Sequence, residues 1–258
     1  MMASAAPNAL PIFYNELQPL SSNTHADWKI RRIDRAPHLI NVHAVPLTVD
    51  EFAIAQRYYP IIFSTGENSV PLALMGLNEG VNVFVDDKGK LVREAYIPAY
   101  VRRYPFMLAR LRPDTDELSL CFDPSSEAIG PFEDGDPLFE NGQPSEATQA
   151  LLGFCEQFET AGQRTAAFVQ DLEKAKLLID GEVSIQPDGA EQPFIYRGFR
   201  MVSEDALREL RGDHARKYIQ SGLLPLIYCH LFSLNLIRDI FGIQMNQGLM
   251  PQPDAPVA

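Results

Sequence analysis

At 258 residues, 46% apolar and 22% charged, the chain has ordinary globular composition, which excludes a disordered or fibrous protein. Its charge of −12 is unevenly spread, because residues 112–147 hold ten acids against Arg112 alone. An acidic surface repels phosphate backbones and anionic headgroups, so no nucleic-acid partner is expected. The three cysteines, Cys121, Cys155 and Cys229, are odd in number and far apart. They therefore argue against a disulfide framework and fit a reducing compartment, with Cys155 and Cys229 as small core residues. Met1 to Leu10 lacks a secretion signal, and the most apolar run, Leu223 to Ile237, falls short of the ~20 residues that span a bilayer. The expectation is a cytoplasmic protein without a membrane span.

In chain order, His38 to Val45 reads as a strand. Thr48-Val-Asp-Glu51 matches a capping box opening a short helix over 49–58, ended by Pro60. Residues 70–94 read as a β-meander, turning at Asn78-Glu-Gly80 and at Asp86-Asp-Lys-Gly89. Pro98 can start a short helix carrying Tyr100, Arg102, Arg103 and Tyr104, which Pro105 stops. Leu118 to Phe122 is a further strand, and the acidic segment after it reads as a solvated loop region. Asp134-Gly-Asp136 inside that segment lacks the oxygen-ligand run of a calcium loop.

From Ser145 to about Ile179, apolar residues recur at helical spacing, with Ser145 as N-cap. Strands follow at Glu182 to Ile185 and Phe194 to Val202, then a helix from Ser203 to Leu210 and a final apolar helix from Leu223 to Phe241. Strands before residue 145 and helices after it make the fold class α+β: an antiparallel sheet or meander packed with a mainly helical C-terminal half. The organisation expected is an N-terminal arm (1–24), one domain (25–245) and a disordered tail (246–258).

Phosphate-binding loops, a GxSxG elbow and zinc-ligand spacings do not occur in the sequence. Two His and one carboxylate can form an iron facial triad, and His25, Asp27 and His230 supply those types. Their context is poor, since His25 precedes the expected strands and His230 falls in a Leu-rich helical run. The block Tyr96-Ile-Pro-Ala-Tyr-Val-Arg-Arg-Tyr-Pro-Phe106 is the other candidate. Adjacent arginines among aromatics hold an anion or a ring face. Neighbours on a helix point about 100° apart, so one arginine should turn inward to a carboxylate and the other outward. Tyr100 and Tyr104, four apart, would share one face, and Trp28 would anchor the N-terminal arm or offer a ring platform.

Several runs, in consistent order over about residues 25–240, resemble the bacterial SapC-like family. They include His25-Ala-Asp-Trp28, Tyr59-Pro-Ile-Ile-Phe63, Leu77 to Asp86, Tyr96 to Phe106, Leu118 to Asp123 and His230-Leu-Phe-Ser-Leu234. The Arg102-Arg-Tyr-Pro105 and Asn82-Val-Phe-Val-Asp86 blocks are the most specific. The resemblance implies a setting more than a mechanism: a surface-layer name, and the company of halogenase-like enzymes, cupin-type hydroxylases and TonB-dependent receptors. It carries over no catalytic residues and no cofactor. The function expected is therefore a non-catalytic binding or accessory protein, with a halogenase-like or cupin-type enzyme, or a surface component, as partner. The alternatives are an iron oxygenase using His25, Asp27 and His230, and a structural surface-layer component.

Overall fold

Short apolar runs punctuated by proline and glycine make short strands, and that is the pattern here. The computed structural model describes residues 10–250 apart from 113, 115, 188 and 190. Its strands are β1 (Gln18–Pro19), β2 (Lys29–Ile30), β3 (Ala44–Pro46), β4 (Ile61–Phe63), β5 (Pro71–Leu74), β6 (Phe106–Arg110) and β7 (Leu118–Phe122). Then come β8 (Ile129–Gly130), β9 (Asp136–Pro137), β10 (Phe139–Glu140), β11 (Gln143–Pro144), β12 (Leu178–Ile185) and β13 (Phe194–Val202). The helices are α1 (Phe52–Ala55), α2 (Ala99–Arg103), α3 (Glu146–Lys174), α4 (Glu204–Arg208), α5 (Gly212–Gln220), α6 (Leu223–Ser233) and α7 (Leu236–Asn246). Antiparallel sheets lie mainly in the N-terminal half and helices in the C-terminal half. The class is α+β.

The chain divides into two compact units: the described residues up to 36 with 99–161, and residues 37–98 with 162 onwards. In the first, β1, β7 and β6 form an antiparallel sheet, with Phe106 opposite Phe122 and Leu108 opposite Leu120. A second sheet runs β8-β2-β9, and β10 and β11 form a small hairpin. Phe106, Leu108, Phe122, Ile129, Leu138 and Cys155 make its core, with Leu151 and Leu152 of α3 packed against them. Ser145 caps α3 as expected, accepting from the Thr148 N–H at 3.2 Å. Residues 10–24 are woven in as well, since β1 pairs with β7 and the buried Tyr14 hydroxyl donates to the Phe106 carbonyl.

In the second unit the sheet order is β12-β13-β4-β5-β3, antiparallel throughout. Buried polar side chains tie its helices to this sheet. Ser233 of α6 accepts from the Ile61 N–H at 2.8 Å. Gln244 of α7 accepts from the Leu77 N–H at 3.0 Å and donates to the Leu249 carbonyl. The expected capping segment is present too: buried Glu51 accepts from the Thr48 N–H at 3.0 Å and from the Tyr96 hydroxyl at 3.0 Å. The short helical segment there ends at Ala55 rather than at residue 58.

Several expectations need correction. The acidic segment after β7 keeps its acids in solvent apart from Asp123, which is buried completely, but it is not all loop, for it carries β8 to β11. Two-residue strands have no periodicity to detect, which is why the segment reads as loop. The meander over 70–94 keeps only β5 and a single bridge, Val85 to Leu91. Asn82 explains the loss: its amide donates to the Leu39 and Val42 carbonyls and its oxygen accepts from the Phe84 N–H. Those bonds divert the backbone from a ladder.

The long helix ends at Lys174, where the chain turns through Lys176 at φ 54° into β12. The final helix is two, broken after Ser233, whose hydroxyl bonds back to the His230 carbonyl at 2.6 Å. The stretch from Leu223 to Asn246 is 24 residues long and its most apolar 18 residues have mean hydropathy 1.3, long and apolar enough to cross a membrane by those two measures. Met250 still packs on the Ile185, Ile237 and Phe241 cluster, while 251–258 of the expected tail lie outside the described residues.

Candidate functional site

The Tyr96–Phe106 block builds α2 and the start of β6, and it splits its two arginines as their helical spacing demands. Arg103 turns inward and its side chain is 6% exposed. Its guanidinium lies over the Phe158 ring at 4.2 Å and the Tyr100 ring at 4.7 Å. The Tyr100 hydroxyl donates to the Ile12 carbonyl at 3.0 Å. Glu159 supplies the inward carboxylate, but at 3.5 Å, and burial raises its pKa more than Arg103 lowers it. The rings therefore do more than the ion pair to hold this charge. Desolvated cation–π contacts contribute about 2 kcal/mol or more, and the buried Arg103 Nε has no hydrogen-bond partner.

Tyr100 and Tyr104 meet the same ring, Phe13, at 5.4 and 6.1 Å. Tyr104 lies just past the end of α2, half-buried, with its hydroxyl bonded among Ser125, Ser126 and Asp123. Asp123 also accepts from the Asn15 N–H at 2.7 Å and from the Ser125 N–H and hydroxyl. These side chains form a closed aromatic layer. Trp28 packs at its own site, against His25 and Phe122 at 4.8 and 5.6 Å.

The proposed metal ligands are placed for other tasks. His25 is buried and its Nδ1 accepts from the Ser21 N–H at 3.1 Å, while Asp27 is exposed. Both belong to the first unit and His230 to the second. His230 uses both ring nitrogens on backbone: Nδ1 donates to the Ile61 carbonyl at 2.7 Å and Nε2 accepts from the Val202 N–H at 3.0 Å. Burial lowers its pKa to about 4, consistent with a neutral imidazole. That donor pattern leaves no lone pair for iron. Among the described residues, no three His, Cys, Asp or Glu side chains group as metal ligands. The iron triad is therefore not formed. Burial also pushes the Cys121 and Cys155 thiols up to about 11, away from thiolate chemistry, while Cys229 is only half-buried.

What stays open is a groove in the first unit along the start of α3. Its apolar floor is Ile30, Ala147, Ala150, Leu151 and Phe154, around a cavity of 280 Å³ with Arg31 and Arg32 on the wall. Phe154 is also covered by exposed Arg102, 5.1 Å from its ring centroid. A second hollow of 340 Å³ shares Asp136, Ala147 and Ala150 and adds Glu140, Ser145 and Glu146. Ala147, Ala150, Leu151 and Phe154 follow the i, i+3, i+4, i+7 spacing of one helix face. That spacing was visible in the sequence, but it reads as a stripe wholly turned to the core. The two alanines are the missed signal: small side chains leave a trough where larger ones would fill it.

A family model described as SapC matches residues 20–240, so the chain belongs to the SapC family. No curated protein and no solved structure matches the chain.

Proposed function

We propose that this SapC-family chain is a non-catalytic binding protein serving a bacterial surface-layer or TonB-dependent uptake system. It acts in the cytoplasm alongside a halogenase-like or cupin-type oxidising enzyme. The observation that supports this is the division of labour in its polar side chains. The groups able to do chemistry in the two candidate constellations are engaged by rings and backbone: Arg103 by Phe158 and Tyr100, His230 by Ile61 and Val202. The groove along α3 instead presents exposed Arg32, Asp136, Glu140 and Glu146 around an apolar floor. That is how a surface built for recognition is made, with an apolar centre and a charged rim.

The test is affinity purification of the tagged full chain from a native host, with mass spectrometry of what accompanies it. Recovery of an oxidising enzyme or a surface component in stoichiometric amount is the expected result. Recovery of the chain alone, with measurable turnover of a small metabolite, overturns the proposal.

A further inference from the structure

The charges around the groove are sorted by sign along its length. Arg31 and Arg32 line the hollow that reaches Phe154, over which Arg102 lies, whereas Glu140 and Glu146 line the one at the start of α3. Asp136 borders both hollows. Among the described residues Arg32, Asp136, Glu140 and Glu146 make no ion pair. Arg31 is partly engaged, donating from Nε to the Glu127 carbonyl and lying over Phe132 at 3.9 Å. The poles are fixed in place: Asp136 pairs with Ile30 across β9 and β2, and Arg31 and Arg32 follow β2 directly.

From Glu146 to Phe154 is eight residues of helix, or about 12 Å. An extended chain covers that span with about four residues at ~3.3 Å each. The strand β2 has neighbours on both sides, and the edge strand β9 is only two residues long, with Pro137 lacking an N–H and its carbonyl already accepting from the Ser145 hydroxyl. Added-strand pairing therefore has little to offer, and side chains must carry recognition.

We infer that the groove along the start of α3 binds an extended segment of a partner protein, about four residues long. The segment places a basic side chain against Asp136, Glu140 and Glu146, apolar side chains on Ala150, Leu151 and Phe154, and an acidic one against Arg32 and Arg102. This rests on the accessory role proposed above and names the kind of partner segment that role uses.

The experiment is fluorescence anisotropy of the full chain with three labelled peptides capped at both termini. Each has leucine and phenylalanine in the middle; the ends are lysine and glutamate, two lysines, or two glutamates. The mixed peptide should bind at least tenfold more tightly than either of the others. Arg32→Glu should weaken the mixed peptide and strengthen the double-lysine one, and Asp136→Lys should strengthen the double-glutamate one. Both residues are exposed, so these variants keep the fold, which thermal melts confirm. Ala150→Trp, which fills the trough, should abolish binding of every peptide. Equal binding of all three peptides, or full binding by Ala150→Trp, overturns the inference. Co-purification that survives Ala150→Trp also overturns it while leaving the accessory role standing, because the partner then uses another face.

Discussion

The two units bury polarity in opposite ways. The first encloses a full charge, Arg103, and holds it with aromatic faces and a loosely placed Glu159. The second encloses neutral groups, His230, Ser233 and Gln244, each fully buried and each bonded to backbone. A buried charge stays costly even when compensated, whereas a saturated neutral group costs little until one partner is removed. The first arrangement should therefore depend on ring packing and the second on protonation state.

The largest effect that separates them is acid sensitivity. His230 is neutral when folded, with a pKa lowered to about 4 from 6.5 by burial. Below pH 6.5 the unfolded chain binds a proton that the folded chain refuses, so stability falls as the pH drops and levels off below about 4. Over that window the loss from this residue is about 3 kcal/mol. Urea melts from pH 7 to pH 4 should show it. Burial lowers the His38 pKa to about 4 as well, so His230→Gln should remove about half of the dependence, and an unchanged slope in that variant would remove His230 as a cause.

Next comes Arg103→Ala, expected to cost about 2–3 kcal/mol. Glu159 is one-third exposed and can be rescued by water or a proton, which keeps the loss below that of a fully enclosed pair. Arg102→Ala should stay within about 0.5 kcal/mol. Equal losses in the two variants would refute the inward and outward split. The one substitution expected to cost nothing is Tyr196→Phe in the second unit. Its hydroxyl is buried without a hydrogen-bond partner beside a 100 Å³ cavity lined by Ile62, Leu77 and Ile237. Removing it should be neutral or stabilise by up to about 1 kcal/mol. A clear loss of thermal stability would mean that the hydroxyl is satisfied in solution.

Legibility in the sequence followed the length of the signal. The 29-residue α3 with its Ser145 cap, the strand from Leu118 to Phe122 and the α+β class could be read directly. The opposed arginines could as well, because 100° per residue admits few other outcomes for an adjacent pair on a helix. The two-residue strands could not: β8 and β9 pair with β2, far away in the chain, and the β10–β11 hairpin is too short to show a period. Nor could the task of His230, because an apolar helical run fixes that a histidine is buried and says nothing of which backbone groups it meets. The groove was hidden for a related reason. Its floor was legible as a helix face, but its poles come from Arg32 and Asp136, which only the β2–β9 pairing brings alongside.

Gly135 sits beside that acidic pole at φ 108°, with the Ile30 carbonyl 2.6 Å from where any Cβ would lie. Every replacement there must both adopt an unfavourable backbone angle and push β2 aside. Asp136, one residue on, is exposed and can change without disturbing the chain's path. In a saturation mutagenesis library sorted for expression, position 135 should therefore be among the least tolerant in this segment and position 136 among the most. Sorted for peptide capture among well-expressed variants, the burden moves to position 136. One glycine thus makes two neighbouring positions answer to different selections, one for the path of the chain and one for what it recognises.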